Sequence, residues 1–229
     1  MSPVQPSSAS LIPDTCLAAG AQLTERAGRK IVALYGSVQG EIAACMKSVG
    51  LADRSDLGTL ELRGATSLLD RALSDRLGDP PLAPGTAHRL GRVWYLRLDS
   101  RRALLVGTHA ALASRPSIGR GRDRGELAHN DIGSNVSIIS VIGPRVGRLL
   151  GGAGLPADLP MGAVGRDPTD ASVLAILREG QRRVLILVRR PAVDALWHRL
   201  LAAGEPLEAA FVGCDALALL DISSTSAAD

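Results

Sequence analysis

Aromatic side chains are scarce: two Trp, two Tyr and one Phe in 229 residues. Tyr35, Trp94, Tyr95, Trp197 and Phe211 are too few and too scattered to supply the stacking surfaces on which single-strand nucleic-acid binders lay bases. An excess of one charge is missing too. With 26 basic against 23 acidic residues the formal net charge is +3, which leaves no electrostatic footprint for DNA or RNA. Cysteine is limited to Cys16, Cys45 and Cys214, an odd number, far apart and without Cys-x-x-Cys pairing. That spacing argues against a disulfide framework or a zinc site and reads as reduced thiols. His88, His109, His129 and His198 are dispersed and offer no metal-ligand spacing, so no metal is expected. No run of 18 uncharged apolar residues occurs, which argues against a membrane-spanning helix. The start, MSPVQPSSASLIPDTCLAAG, lacks a basic segment followed by an apolar run, so no secretory signal is expected and the chain reads as cytoplasmic.

What is present is a chain with 46% hydrophobic and 21% charged residues, enough to bury a substantial core. Its middle repeats an order of elements. Residues 57–73, LGTLELRGATSLLDRAL, read as an alternating strand, Gly64 and an amphipathic helix. Residues 135–150, NVSIISVIGPRVGRLL, follow the same order through Gly143 and Pro144. Each unit is followed by a hairpin, GRVWYLRLDSRRALLVG and then SVLAILREGQRRVLILV, and by a helix, THAALAS and then PAVDALWHRLLAAG. Each half is therefore strand, helix, strand, strand, helix, most of the split β-α-β arrangement of ferredoxin-like folds. Chance similarity between amphipathic units is the rival explanation. The expected fold class is α+β with two such halves. The expected boundaries are a disordered tail over 1–18, a first half over 19–113, a mobile Gly/Arg-rich loop over 114–130, a second half over 131–223 and a disordered tail over 224–229.

Three blocks carry a resemblance to a known family. Residues 19–64, AGAQLTERAGRKIVALYGSVQGEIAACMKSVGLADRSDLGTLELRG, contain a Tyr-Gly, a Glu before a helix and a Gly-Leu-x-Asp-x-Ser turn. Residues 131–150 give a strand closed by Gly-Pro and a helix, and LILVRRPAVDALWHRLLAAG with VGCDALALLDI reads as a last helix and strand. Over about residues 20–223 the chain resembles the folate-binding domain shared by the glycine cleavage T-protein (aminomethyltransferase) family and the gamma subunit of heterotetrameric sarcosine oxidase. The resemblance implies a T-protein-like folate-binding domain. Aminomethyltransferases carry a further C-terminal barrel domain, and its absence from this sequence makes the gamma subunit the nearer likeness.

The resemblance also designates a pocket. In catalytic members the hairpin corresponding to residues 91–107 is longer and carries a glycine pair followed by an acidic pair. Here Asp99 lies in a Leu-Asp-Ser-Arg-Arg turn, where tight turns favour Asp and where Arg101 and Arg102 keep it solvated. The family's pterin-binding glutamate falls on Gln181, with Glu179 two positions away as its substitute in a different register. The arginine of the family's final strand falls on Leu217, and the methionine lining the folate pocket falls on Leu57. Leu57, Asp99, Glu179 and Gln181 are thus the folate-pocket candidates, no catalytic residue is assigned, and Trp94 and Trp197 read as core. Tetrahydrofolate is the one cofactor implied, its binding expected to be weakened by the lost charges. The expected function is a noncatalytic, folate-domain-like subunit of a multisubunit flavin-dependent amine oxidase or demethylase, with flavoprotein subunits as partners. The alternative is a tetrahydrofolate-binding aminomethyltransferase-like one-carbon transfer protein.

Overall fold

The computed structural model describes residues 12–26, 28–78, 80–114 and 127–226. Its elements, in chain order, begin with α1 (Asp14–Ala18), the ribbon β1 (Gln22–Arg26) and β2 (Arg29–Leu34), α2 (Val38–Lys47) and β3 (Gly50–Asp53). Then come β4 (Leu57–Arg63), α3 (Thr66–Leu77), β5 (Thr86–Leu90), β6 (Val93–Asp99), β7 (Arg102–Thr108), α4 (His109–Ala113) and β8 (Ala128–Asp131). The remainder is β9 (Val136–Ile142), α5 (Val146–Gly152), β10 (Val164–Gly165), β11 (Val173–Gly180), β12 (Arg183–Arg189), α6 (Val193–Gly204), β13 (Ala210–Phe211) and α7 (Cys214–Ser226). A five-stranded sheet has the order β5-β6-β7-β4-β8 and a six-stranded sheet the order β10-β11-β12-β9-β3-β13.

The predicted fold class holds. In the first sheet β4, α3, β6, β7, α4 and β8 complete a split β-α-β unit, with β8 antiparallel beside β4. The second half repeats it through β9, α5, β11, β12 and α6, but β3 occupies the place beside β9, and β13 pairs outside it in parallel. Gly64 and Gly143 each lie between a strand and a helix, as the repeat requires. Gly143 adopts φ +137°, and a Cβ there would collide with the backbone carbonyls of Cys45 and Ser48.

Strand alternation sorts the core into layers. Leu185 and Leu187 of β12 meet Leu104 and Val106 of β7 between the sheets, while Val184, Ile186 and Val188 turn to α5 and α6. On the outer side of the five-stranded sheet Ala103 and Leu105 pack on Leu69, Ala72 and Leu73 of α3. The result is helix, sheet, sheet, helix. Trp197 of α6 is fully buried in this core, stacked on Phe211 with ring centroids 5.4 Å apart.

Four expected boundaries differ. Residues 14–18, assigned to a disordered tail, form α1, because Cys16 is buried in the core and Thr15 donates from its backbone N–H (2.9 Å) and its hydroxyl (2.6 Å) to Asp194 of α6. Of the expected loop 114–130, residues 115–126 lie outside the described residues, whereas Ala128–Asp131 form β8 because β4 offers an unpaired edge. VGCDALALLDI is not a strand: Asp215 opens a run of Ala and Leu that forms α7, which continues to Ser226, past the expected end of the domain at 223. Residues 50–53 belong to the sheet of the second half, since β3 is buried throughout and its neighbours are β9 and β13.

Glu41 lies within the first turn of α2, not before it, and holds this N-terminal block to the rest. Its Oε1 accepts the N–H groups of Tyr35 (2.7 Å) and Gly36 (3.3 Å), and its Oε2 accepts that of Gly213 at 2.7 Å. Among the described residues no helix is long and apolar enough to cross a membrane.

Replacing Glu41 by Ala strands three N–H groups at a buried position, so a loss of roughly 3 kcal/mol is expected in denaturant unfolding. Glu41→Gln should cost less, because its amide oxygen still accepts on one side. A second expectation concerns Asp53, whose carboxyl is pushed up from 3.8 to about 6 by burial, against the opposing Ser55 hydrogen bond. The folded state holds this proton more tightly than the unfolded chain does. The stability it contributes is therefore full below about pH 4 and lost as pH rises through about 6, close to 3 kcal/mol in all. Asp53→Asn should remove this component from a stability–pH profile measured between those limits.

Candidate functional site

β3 leaves the six-stranded sheet at Asp53 and β4 enters the five-stranded sheet at Leu57, so residues 54–56 bridge the sheets at one end. Arg54 donates its backbone N–H to the Ile138 carbonyl at 2.9 Å. Its guanidinium forks onto both oxygens of Asp56, at 2.8 and 2.9 Å. At the same end the indole Nε1–H of Trp94, on β6, donates to Oε1 of Glu179, on β11, at 2.7 Å. The Arg89 guanidinium lies over the Trp94 ring, 5.9 Å from its centroid. Oε2 of Glu179 is buried and has no hydrogen-bond partner among the described residues. Burial pushes this carboxyl above its usual range, while the charges of Arg54 and Arg183 and the indole N–H oppose the shift. A half-satisfied buried carboxylate is the group at this end of the sandwich best suited to receive a donor from a ligand.

The four residues named from the sequence do not converge. Leu57 lines a narrow crevice with Arg54, Asp53 and Arg190, on the seam between the sheets. Glu179 sits within electrostatic reach of the same Arg54. Gln181 is exposed in the β11–β12 turn, where its carbonyl accepts from Arg178. Asp99 is at the far end of β6 from Trp94, five residues or roughly 17 Å along the strand. It closes the β6–β7 turn by accepting the Arg101 N–H at 2.9 Å, and Arg166 approaches its other oxygen at 3.4 Å. The turn is anchored from beneath by Arg97, only 1% exposed, which donates to the carbonyls of Asp99 and Ser100 at 2.6 Å and pairs with Asp70 of α3 at 2.9 Å. Leu217 is buried on α7 and lines a cavity shared with Arg54 and Asp56.

Sequence reasoning missed Arg54 and the pairing of Trp94 with Glu179. Arg54 was available as a variable position inside the Gly-Leu-x-Asp-x-Ser turn. The Trp94–Glu179 contact joins residues 85 apart, with no local pattern to announce it. Trp94 packs partly against the core, as expected, but its polar edge is taken up by Glu179. Among the described residues no cluster of three or more His, Cys, Asp or Glu is arranged to hold a metal ion.

Because Asn keeps the acceptor that caps the turn, Asp99→Asn should change stability by no more than about 0.5 kcal/mol. Arg97→Met should cost several times as much, since it leaves Asp70 and two carbonyls without their donor. Equilibrium unfolding of the two variants side by side measures the contrast.

No family model matches the chain. In sequence it is 28% identical over 208 residues to an aminomethyltransferase from Frankia alni, covering 84% of this chain and 54% of that protein. The chain thus spans about half the length of the curated relative it matches. In structure it is similar to glycine cleavage system aminomethyltransferase T from Bartonella henselae, with a TM-score of 0.69 and 20% identity, over 89% of this chain and 58% of that one. It is also similar to a chain of heterotetrameric sarcosine oxidase from Corynebacterium sp. U-96, solved in complex with pyrrole 2-carboxylate, with a TM-score of 0.55 and 20% identity, over 76% of this chain and 93% of that one. In sequence the chain is thus similar to an aminomethyltransferase, and its fold is that of the T-protein and of the sarcosine oxidase chain.

Proposed function

We propose that this chain is a noncatalytic, folate-domain-like subunit of a multisubunit flavin-dependent amine oxidase or demethylase, packed against a flavoprotein partner. The observation that carries the reading is the state of the hairpin acid. Asp99 is committed to its own turn and to Arg166, and Gln181 is exposed at another turn. Neither presents a carboxylate beside the Trp94–Glu179 pair, and Leu217 offers an apolar side chain where the resemblance calls for a cation. The likeness to a chain of a heterotetrameric oxidase supports the same reading.

The second reading, a tetrahydrofolate-binding one-carbon transfer protein, is favoured by Glu179. A buried carboxylate oxygen without a partner suits the adjacent N–H donors of a pterin ring, and Leu57 supplies apolar wall on the same seam. The fit extends to that one polar contact. A charge-assisted hydrogen bond contributes roughly 1.5–3 kcal/mol, so the absence of two such partners weakens folate binding by about two to four orders of magnitude.

Two measurements test the choice. Affinity purification of the chain from its native cells should bring down a flavoprotein, seen as bound flavin absorbance. The interface should bury at least about 1,000 Å², the size usual for lasting assemblies. Calorimetric titration of the pure chain with tetrahydrofolate should give weak or no binding. Micromolar or tighter affinity with no flavoprotein recovered would move the second reading ahead.

A further inference from the structure

We propose that the cavity between the β1–β2 ribbon, α4 and α7 binds a small organic anion through a carboxylate seated between the Arg29 guanidinium and the His109 imidazole. The inference does not rest on the reading above, since neither Arg29 nor His109 enters the argument for it. The cavity has a volume of about 280 Å³, and Arg26, Arg29, Arg54, His109, Cys214 and Asp221 stand on its wall. This is slightly below the range of pockets for drug-sized ligands, roughly 300–1,000 Å³, and suits a compact acid.

Charge pairing identifies the free group. Arg26 is held by Asp215 at 2.6 Å, Arg54 by both oxygens of Asp56, and Asp221 receives Arg183. These pairs neutralise one another. Arg29 is the cation left over: among the described residues it has no carboxylate partner, and it borders both this cavity and the crevice beneath Leu57. A guanidinium presents two parallel donors, the geometry a carboxylate accepts best.

His109 supplies the second contact. Its Nε2 is buried and lacks a hydrogen-bond partner among the described residues, which is costly for a polar atom unless a ligand or water completes it. The ring occupies its place because residue 58 is glycine: a Cβ there would come within 2.8 Å of both Nδ1 and Cε1. Burial and the Arg29 charge push the imidazole below its usual range, against Asp131 and Asp56, so it stays neutral near pH 7 and offers a single N–H. An anion between Arg29 and His109 would satisfy an uncompensated cation and an unpartnered ring nitrogen together.

The carboxylate has two possible sources, a free small acid or the glutamyl end of a folate. Glutarate is the probe, titrated into the full chain and followed at the His109 Cε1–H resonance and by calorimetry. A saturable shift with millimolar or tighter affinity is expected. Arg29→Gln should weaken binding by about ten- to a hundredfold, and His109→Gln by less, with circular dichroism showing both variants folded. Tetrahydrofolate that displaces glutarate identifies the folate tail as the occupant, and failure to displace it identifies a free acid. Either result retains the site. Absence of a saturable glutarate shift in the millimolar range, or equal affinity in folded Arg29→Gln, overturns it.

Discussion

Everything at the candidate site depends on where β3 lies. Four residues, Gly50 to Asp53, are buried between β9 and β13, and the chain then crosses directly into the other sheet as β4. This short link ties the two sheets, as residues 132–135 between β8 and β9 also do, beside the apolar layer between them. Because β3 fills the fourth-strand position of the second unit, the N-terminal block is part of that unit's framework rather than an appendage. The contacts of Glu41 follow from this. Once α2 and α7 are brought together beside β3, the N–H groups of Tyr35, Gly36 and Gly213 face a common point, and a carboxylate is the acceptor able to serve all three.

The link also concentrates charge at one end of the sandwich. Arg54, Asp56, Glu179, Arg183 and Asp221 come from three separated stretches of chain, and their mutual pairing is what allows so many ionisable groups on the seam. The opposite end is arranged differently. There a single buried arginine, Arg97, fixes the turn carrying Asp99 by its backbone carbonyls and fixes α3 through Asp70. One end is a mechanical anchor built on that arginine. The other holds Glu179 Oε2 and His109 Nε2, buried acceptor and ring nitrogen without a partner among the described residues.

The repeat was legible in the sequence because its signals are local. Alternation in residues 57–63, the largely apolar run of residues 136–142, glycine after each strand and an apolar stripe in the following helix need no tertiary information. β8 was not legible, since AHND has neither alternation nor β-branched residues and becomes a strand only because β4 provides an edge. The helix at 214–226 was misassigned for a related reason: a run of Ala and Leu is compatible with a buried strand until length and the Asp at its start are weighed. Among the site residues, Asp99 was readable as a turn from its neighbours alone. Glu179 was reached only as a register alternative to Gln181, because a hairpin turn of two residues leaves the strand end ambiguous by the distance that separates them.

Register also explains why Glu179, and not Gln181 two positions on, reaches the Trp94 indole. β11 and β12 pair Leu177 with Leu185 and Arg178 with Val184, and the shift between Arg178 and Gly180 ends the regular ladder. Glu179 lies in that irregular step, where its side chain leaves the strand beside the Trp94 indole. Gln181, past the end of the ladder, is carried outward with the turn. A bulge of one residue therefore decides which polar side chain reaches the seam, and a substitution that restored regular pairing there would withdraw the carboxylate without altering the sequence at 179.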